Sequence, residues 1–175
     1  MSYPRSGFTL LECLTVLTII AILSAITIPS LTLFLNNTKA QTASAQLLNA
    51  ISLTRSEAMV RQENISLCGT ANEIICSDAW QKSYMIKTSH DVLYLFQSLS
   101  SRDKLHWRSF PFHHSALTFL PNGLLNSENG TFWYCVHGEK NPAWAIMINQ
   151  IGRARLAKPN AKGEIKDGKG KRFLC

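Results

Sequence analysis

The stretch from residue 8 to residue 35, FTLLECLTVLTIIAILSAITIPSLTLFL, constrains everything that follows it. From Cys13 to Leu35 there are 23 residues without a charge. A helix of that length, rising about 1.5 Å per residue, covers roughly 35 Å and is long enough to cross a bilayer. Three details separate it from a plain anchor. A short polar leader, with Arg5 as its one charge, ends in Gly7; Glu12 lies inside the apolar run; and Pro29 interrupts its second half. A secretory signal cut near Ala25, or an anchor oriented by Arg5, accounts for the apolarity but not for Glu12. A carboxylate near the bilayer centre costs about 2.5–3.5 kcal/mol even on the lenient insertion scale, so it needs a partner or a task. Cleavage after Gly7 supplies one. It frees an α-amino group on Phe8, four residues before Glu12, and the Glu12 of one copy then neutralises the amine of a neighbour packed alongside.

Gly7-Phe8-Thr9-Leu10-Leu11-Glu12 resembles the type III signal of type IV pilins and type II secretion pseudopilins. The resemblance implies that a prepilin peptidase cuts after Gly7 and methylates the new Phe8 amine. It implies a single pass through the inner membrane with the globular part on the periplasmic side, followed by assembly with other pilin subunits into a pilus at the cell surface. Glu12 and Pro29 are then assembly residues. Proline mid-helix removes a donor and crowds the carbonyl one turn back, at Ala25; it acts either as a passive kink or as a point where the helix melts when a filament is pulled.

Residues 1–7 form the leader, 8–35 the membrane or filament-core helix, and 36–63 its amphipathic continuation. In the last of these, Ala40, Ala43, Leu47, Ala50, Ile51, Thr54 and Ala58 recur at three- and four-residue spacing, which draws one apolar stripe. Glu57 and Arg61 make an i,i+4 pair, and Asn64 is the expected terminator. Over 64–156 the period shortens. Ile65–Cys68, Tyr84–Lys87, Val92–Gln97, Leu105–Phe110, Leu117–Leu120, Phe132–Val136 and Trp144–Asn149 are short β-branched and aromatic runs. Cys68-Gly69, Pro121-Asn122-Gly123, Glu128-Asn129-Gly130 and Asn141-Pro142 are the turn formers between them. The expected fold is α+β: a long N-terminal helix packed on a small antiparallel, sandwich-like β domain. This layout resembles the domain of H-type pseudopilins and FimT/FimU minor pilins.

Cys13 sits in the apolar run and reads as a small buried hydrophobe. The other four cysteines fall in a part delivered to an oxidising compartment and allow three disulfide pairings. We prefer Cys68–Cys76, a local loop, with Cys135–Cys175 as a clamp on the tail. No Cys-x-x-Cys or His/Cys pair has zinc-ligand spacing, and neither a metal nor another cofactor is expected. His90, His106, His113, His114 and His137 are scattered without an acid or nucleophile at a recognisable spacing, and no Gly-rich phosphate loop or nucleophile elbow is present. A catalytic function is not expected.

Charge is concentrated at the C-terminal side. Between Gln150 and Cys175 eight cations (Arg153, Arg155, Lys158, Lys162, Lys166, Lys169, Lys171 and Arg172) face Glu164 and Asp167, eight minus two, which is +6 of the chain's +7. That imbalance points to a polyanion. Gly152-Arg153-Ala154-Arg155 follows the apolar run from Trp144 to Ile151. Alternation along a strand sends Arg153 and Arg155 to the same face, and Gly152 allows a turn or a close backbone approach. In the basic tail 157–175, residues 157–172 are poor in large apolar residues and alone should be flexible, while Cys175, next to Phe173 and Leu174, suggests that the end is tied back onto the domain. Arg102, Lys104 and Arg108 around Trp107 are candidates for the same surface. No aromatic residue interrupts the tail before Phe173, so binding through phosphates rather than bases is expected. Residues 152–155 also resemble the Gly-Arg-x-Arg associated with DNA binding in FimT-like minor pilins. That resemblance implies sequence-independent binding of DNA during natural transformation. The alternative is a structural minor pilin or secretion pseudopilin in which the basic segment is incidental.

Overall fold

The structure is a computed structural model that describes residues 9–98, 100, 102–126 and 129–175, with the backbone alone at positions 26, 28–30 and 33. The leader, Arg5 and the expected cleavage site at Gly7 and Phe8 lie outside the described residues, as does Glu128. The chain divides into two compact units, Met1–Thr38 and Lys39–Cys175.

In the first unit, α1 (Leu10–Arg61) begins and passes through Pro29 without a break. Its start is set by a reciprocal cap. The Thr9 N–H and hydroxyl both donate to Glu12 Oε2 (2.9 and 3.0 Å), while the Glu12 N–H donates to Thr9 Oγ1 (3.3 Å). Thr-x-x-Glu is the sequence mark of this capping box. Glu12 therefore caps the start of its own helix. Farther along, Ser24 and Thr27 donate to the carbonyls of Ile20 and Leu23. Leu10, Leu11, Leu17, Ile22 and Leu23 are exposed, and Cys13, expected to be buried, is free and exposed. Among the described residues no helix is long and apolar enough to cross a membrane.

In the second unit the stripe on α1 is buried as its spacing requires: Leu47, Ala50, Thr54 and Ala58 are fully covered and Ala40, Ser44 and Ile51 nearly so. Two antiparallel sheets receive it. One contains β1 (Ile65–Thr70), β2 (Cys76–Ser77), β3 (Ser83–Lys87), β4 (Val92–Gln97) and β6 (Ala116–Phe119), in the order β2-β1-β3-β4 with β6 also on β1. The other has the order β5-β7-β8-β9, from β5 (Lys104–Phe110), β7 (Asn129–Cys135), β8 (Trp144–Ile148) and β9 (Ala154–Ala157). Asn129 and Gly130, expected in a turn, open β7 instead.

Leu47, Ile51, Ile65, Leu67, Ile86, Phe119, Phe132 and Ile146 form one apolar core with Trp80, Trp107 and Trp144. The Trp144 indole N–H donates to the Ala40 carbonyl at 2.7 Å, which ties the second sheet to the helix. Asp103, just ahead of β5, accepts from the Tyr134 hydroxyl (2.8 Å) and the His137 N–H (2.9 Å). The helix stops two residues earlier than Asn64 suggested: Gln62 takes the left-handed conformation (φ 55°) and its side-chain amide donates to Met59 O. Cys68–Cys76 closes a short loop, and Cys135–Cys175 joins β7 to the last residue.

Candidate nucleic-acid interface

Arg153 and Arg155 are held differently from one another. β8 stops at Ile148 and the chain turns through residues 149–152 before β9 starts at Ala154. The Gly152 N–H donates to Asn149 O (2.9 Å), the Arg153 N–H to Asn149 Oδ1 (2.9 Å), and the Asn149 N–H to Arg153 O (3.3 Å). Gly152 has φ +76°, and a Cβ there would stand 2.7 Å from the Phe119 ring, so the turn needs glycine for conformation and for space. The turn that Gly152 allows is present, but the two arginines do not share a strand: Arg153 leaves the turn, and Arg155 lies in the edge strand β9. Both are exposed.

The sheet register shows what stands beside them. Arg108 is opposite Thr131, Thr131 opposite Met147, and Met147 opposite Arg155. Directly opposed residues project to the same side, so Arg108 and Arg155 end one row across four strands, roughly 14 Å apart. Lys104, four residues before Arg108 and opposite Cys135, shares that face. Arg102 lines an open cleft of about 280 Å³ with Lys104 and Cys175. The second basic stretch is therefore on the face where Arg155 lies.

The C-terminal segment covers part of this face and is not a free ribbon. Asn160 Oδ1 accepts the N–H groups of Lys162 and Glu164, and Asp167 Oδ1 those of Lys169 and Lys171. Gly163 and Gly170, each three residues after the acceptor, have φ of 71° and 80° and donate to its carbonyl. Two successive Asx-type turns result, with Lys162 and Lys169 at matching positions near their tips. Ile165 and Phe173 are buried against Ala145, and Phe173 packs on Trp133 at 5.1 Å. The Trp133 indole N–H donates to Leu174 O (3.1 Å). The end of the chain is tied onto the domain as expected, but residues 157–172 are not flexible, because short side-chain acceptors and the buried Ile165 hold them. The signal was present as Asn160-x-x-Gly163 followed by Asp167-x-x-Gly170.

Charges on this face are partly neutralised within the chain. Arg172 and Lys166 pair with Glu164 (2.7 and 3.4 Å), and Arg108 with Asp167 (3.3 Å). The Arg172 guanidinium holds Glu164 below the usual carboxylate range against slight desolvation, with Lys166 adding. For Asp167 the Lys171 N–H has that effect, again against desolvation, reinforced by the Lys169 N–H and Arg108. Arg108 also lies over the Phe173 ring (5.1 Å) and the Trp133 ring (5.9 Å). Arg153, Arg155, Lys158, Lys162, Lys169 and Lys171 are exposed and have no ion pair among the described residues.

The histidines are not gathered into a site. His113 meets Asp78 (2.9 Å) at the surface, and His106 stacks on Trp133. Burial, followed by Lys104, lowers the His106 pKa. Among the described residues no group of three or more His, Cys, Asp or Glu is placed to hold a metal.

A long N-terminal helix whose later turns fill the space against two antiparallel sheets is the architecture of a pilin-like subunit. The chain belongs to the family of the type II transport protein GspH, whose profile matches residues 43–152, and a prokaryotic N-terminal methylation motif matches residues 3–28. It is thus a member of the minor pilin and pseudopilin class, a family of structural subunits. Two crystal structures of the type IV minor pilin FimU from Pseudomonas aeruginosa (strain PAO1) share the fold. One has a TM-score of 0.54 at 23% identity, covering 69% of this chain and 89% of that one. The other has a TM-score of 0.51 at 24% identity, covering 67% and 91%. No curated protein matches the chain.

Proposed function

We propose that this chain is a minor pilin that binds DNA without regard to sequence through the face carrying Arg153, Arg155 and the tail lysines, during DNA uptake in natural transformation. A prepilin peptidase cuts it after Gly7 and methylates Phe8. The helix 8–35 holds it in the inner membrane, and it then joins other pilin subunits in a filament reaching the cell surface. The methylation-motif match over residues 3–28 supports this order of events.

The observation that carries the DNA reading is the set of six exposed cations that have no ion pair among the described residues: Arg155 on the edge strand, Arg153 and Lys158 flanking it, and Lys162, Lys169 and Lys171 on the two turns. Arginine forks and lysine ammoniums held in this way match a phosphate backbone, which carries no sequence information. In the full chain held in nonionic detergent, replacing both Arg153 and Arg155 with Gln should weaken binding of every duplex alike, several-fold, and lower the salt slope by about two. Unchanged affinity rejects the site.

The GspH match favours a second reading, a subunit that acts only in filament assembly. Under it, deleting the protein abolishes filaments or secretion, and the Arg153/Arg155 variant restores both them and transformation in full.

A further inference from the structure

Beside the paired Arg108 lies an open cleft of about 530 Å³, walled by Phe110, Thr131, Met147, Asp167 and Lys169. Its volume is in the usual range of small-ligand sites, roughly 300–1,000 Å³. Phe110 is 59% exposed, and Phe112 beside it 73%. The Lys169 ammonium, at the tip of the Asp167 turn, stands 5.9 Å from the centre of the Phe110 ring. The cleft thus joins an uncovered aromatic ring to a cation that has no carboxylate partner among the described residues.

Resting on the DNA-binding reading above, we infer that this cleft takes an unpaired base of a single DNA strand, stacked on Phe110, while Lys169 holds the adjoining phosphate. The charge arrangement decides which part of the nucleotide enters. The Asp167 carboxylate on the wall, already spent on Arg108, repels a phosphate but tolerates a base, whose amino and imino groups donate hydrogen bonds. The phosphate stays outside, where Lys169 and Lys171 are exposed. Met147 and Thr131 offer the base apolar and hydroxyl contacts. A duplex cannot use this cleft, because its base faces are stacked and its edges paired. Duplex and single strand would therefore share the cationic face and differ at Phe110 alone. The sequence did not reveal this, because Phe110 is remote from the tail in the chain and meets Lys169 only through the fold.

The test is fluorescence anisotropy on the full chain in nonionic detergent at one fixed salt concentration. Three probes are used: an oligodeoxynucleotide as a single strand, the same strand annealed to its complement, and the same strand made abasic throughout. The expected result is that the single strand binds about ten-fold tighter than its abasic version, as one stacked base would give. Phe110→Ala erases that difference and leaves duplex affinity unchanged, and Phe110→Trp keeps it. Since Phe110 is mostly exposed, the Ala variant should keep the wild-type melting temperature. Equal binding of base-bearing and abasic strands, or a Phe110→Ala variant that still separates them, overturns the inference while leaving duplex binding and the broader proposal intact. Failure to bind any of the three overturns both.

Discussion

At Gly152 a single backbone angle decides where the first arginine of the edge strand goes. Alanine there must adopt φ near +76° and press its Cβ to 2.7 Å from Phe119, whose ring is fully buried. We expect Gly152→Ala to destabilise the fold by about 1–3 kcal/mol in urea unfolding. Asp103 gives a prediction with a pH signature. Burial alone would raise its carboxyl, but the His137 N–H and the Tyr134 hydroxyl, with Ser100 and Lys39 adding, hold it below its ordinary value of 3.8. A pKa depressed in the folded state contributes stability above the unfolded value and loses it as the pH falls through the folded one. Asp103→Asn should therefore cost roughly 1–3 kcal/mol at neutral pH. Its deficit should shrink below about pH 4 in parallel melts of the two proteins.

At the level of elements, the C-terminal segment holds its shape with only Ile165 and Phe173 as buried apolar residues. Asp167 accepts two backbone N–H groups and Arg108 together. Asp167→Ala should speed hydrogen exchange of the Lys169 and Lys171 amides at least ten-fold while leaving the β7 and β8 amides protected, measured by exchange mass spectrometry. This is also where sequence reasoning fell short. Ile151 prolongs the apolar run past the end of β8, so the sequence shows that Gly152 allows a turn but not that the turn takes in Asn149 and leaves Arg153 outside β9. The tail's low apolar content hid two Asx turns whose order comes from local side-chain acceptors, and its interior anchor Ile165 is recognisable only once Ala145 is beside it. Six of the seven expected strands stand within two residues at each end, because their turn formers and alternation act locally; β7 begins three residues early, at Asn129.

Over the whole molecule, the helix stripe was legible because residues at three- and four-residue spacing share one face of a helix, and an apolar face calls for cover. The pairing of Cys135 with Cys175 followed from treating the tail as something to be tied down. Which cations share a face was not legible, because it depends on the register that sets Arg108, Thr131, Met147 and Arg155 in one row. The central claim is that this face binds DNA by charge. A salt titration of duplex binding by the full chain in nonionic detergent tests it most directly. With about six phosphates neutralised, log K should fall against log salt with a slope near −5, the same for unrelated sequences. A flat dependence, or no association with any duplex even in dilute buffer, contradicts it.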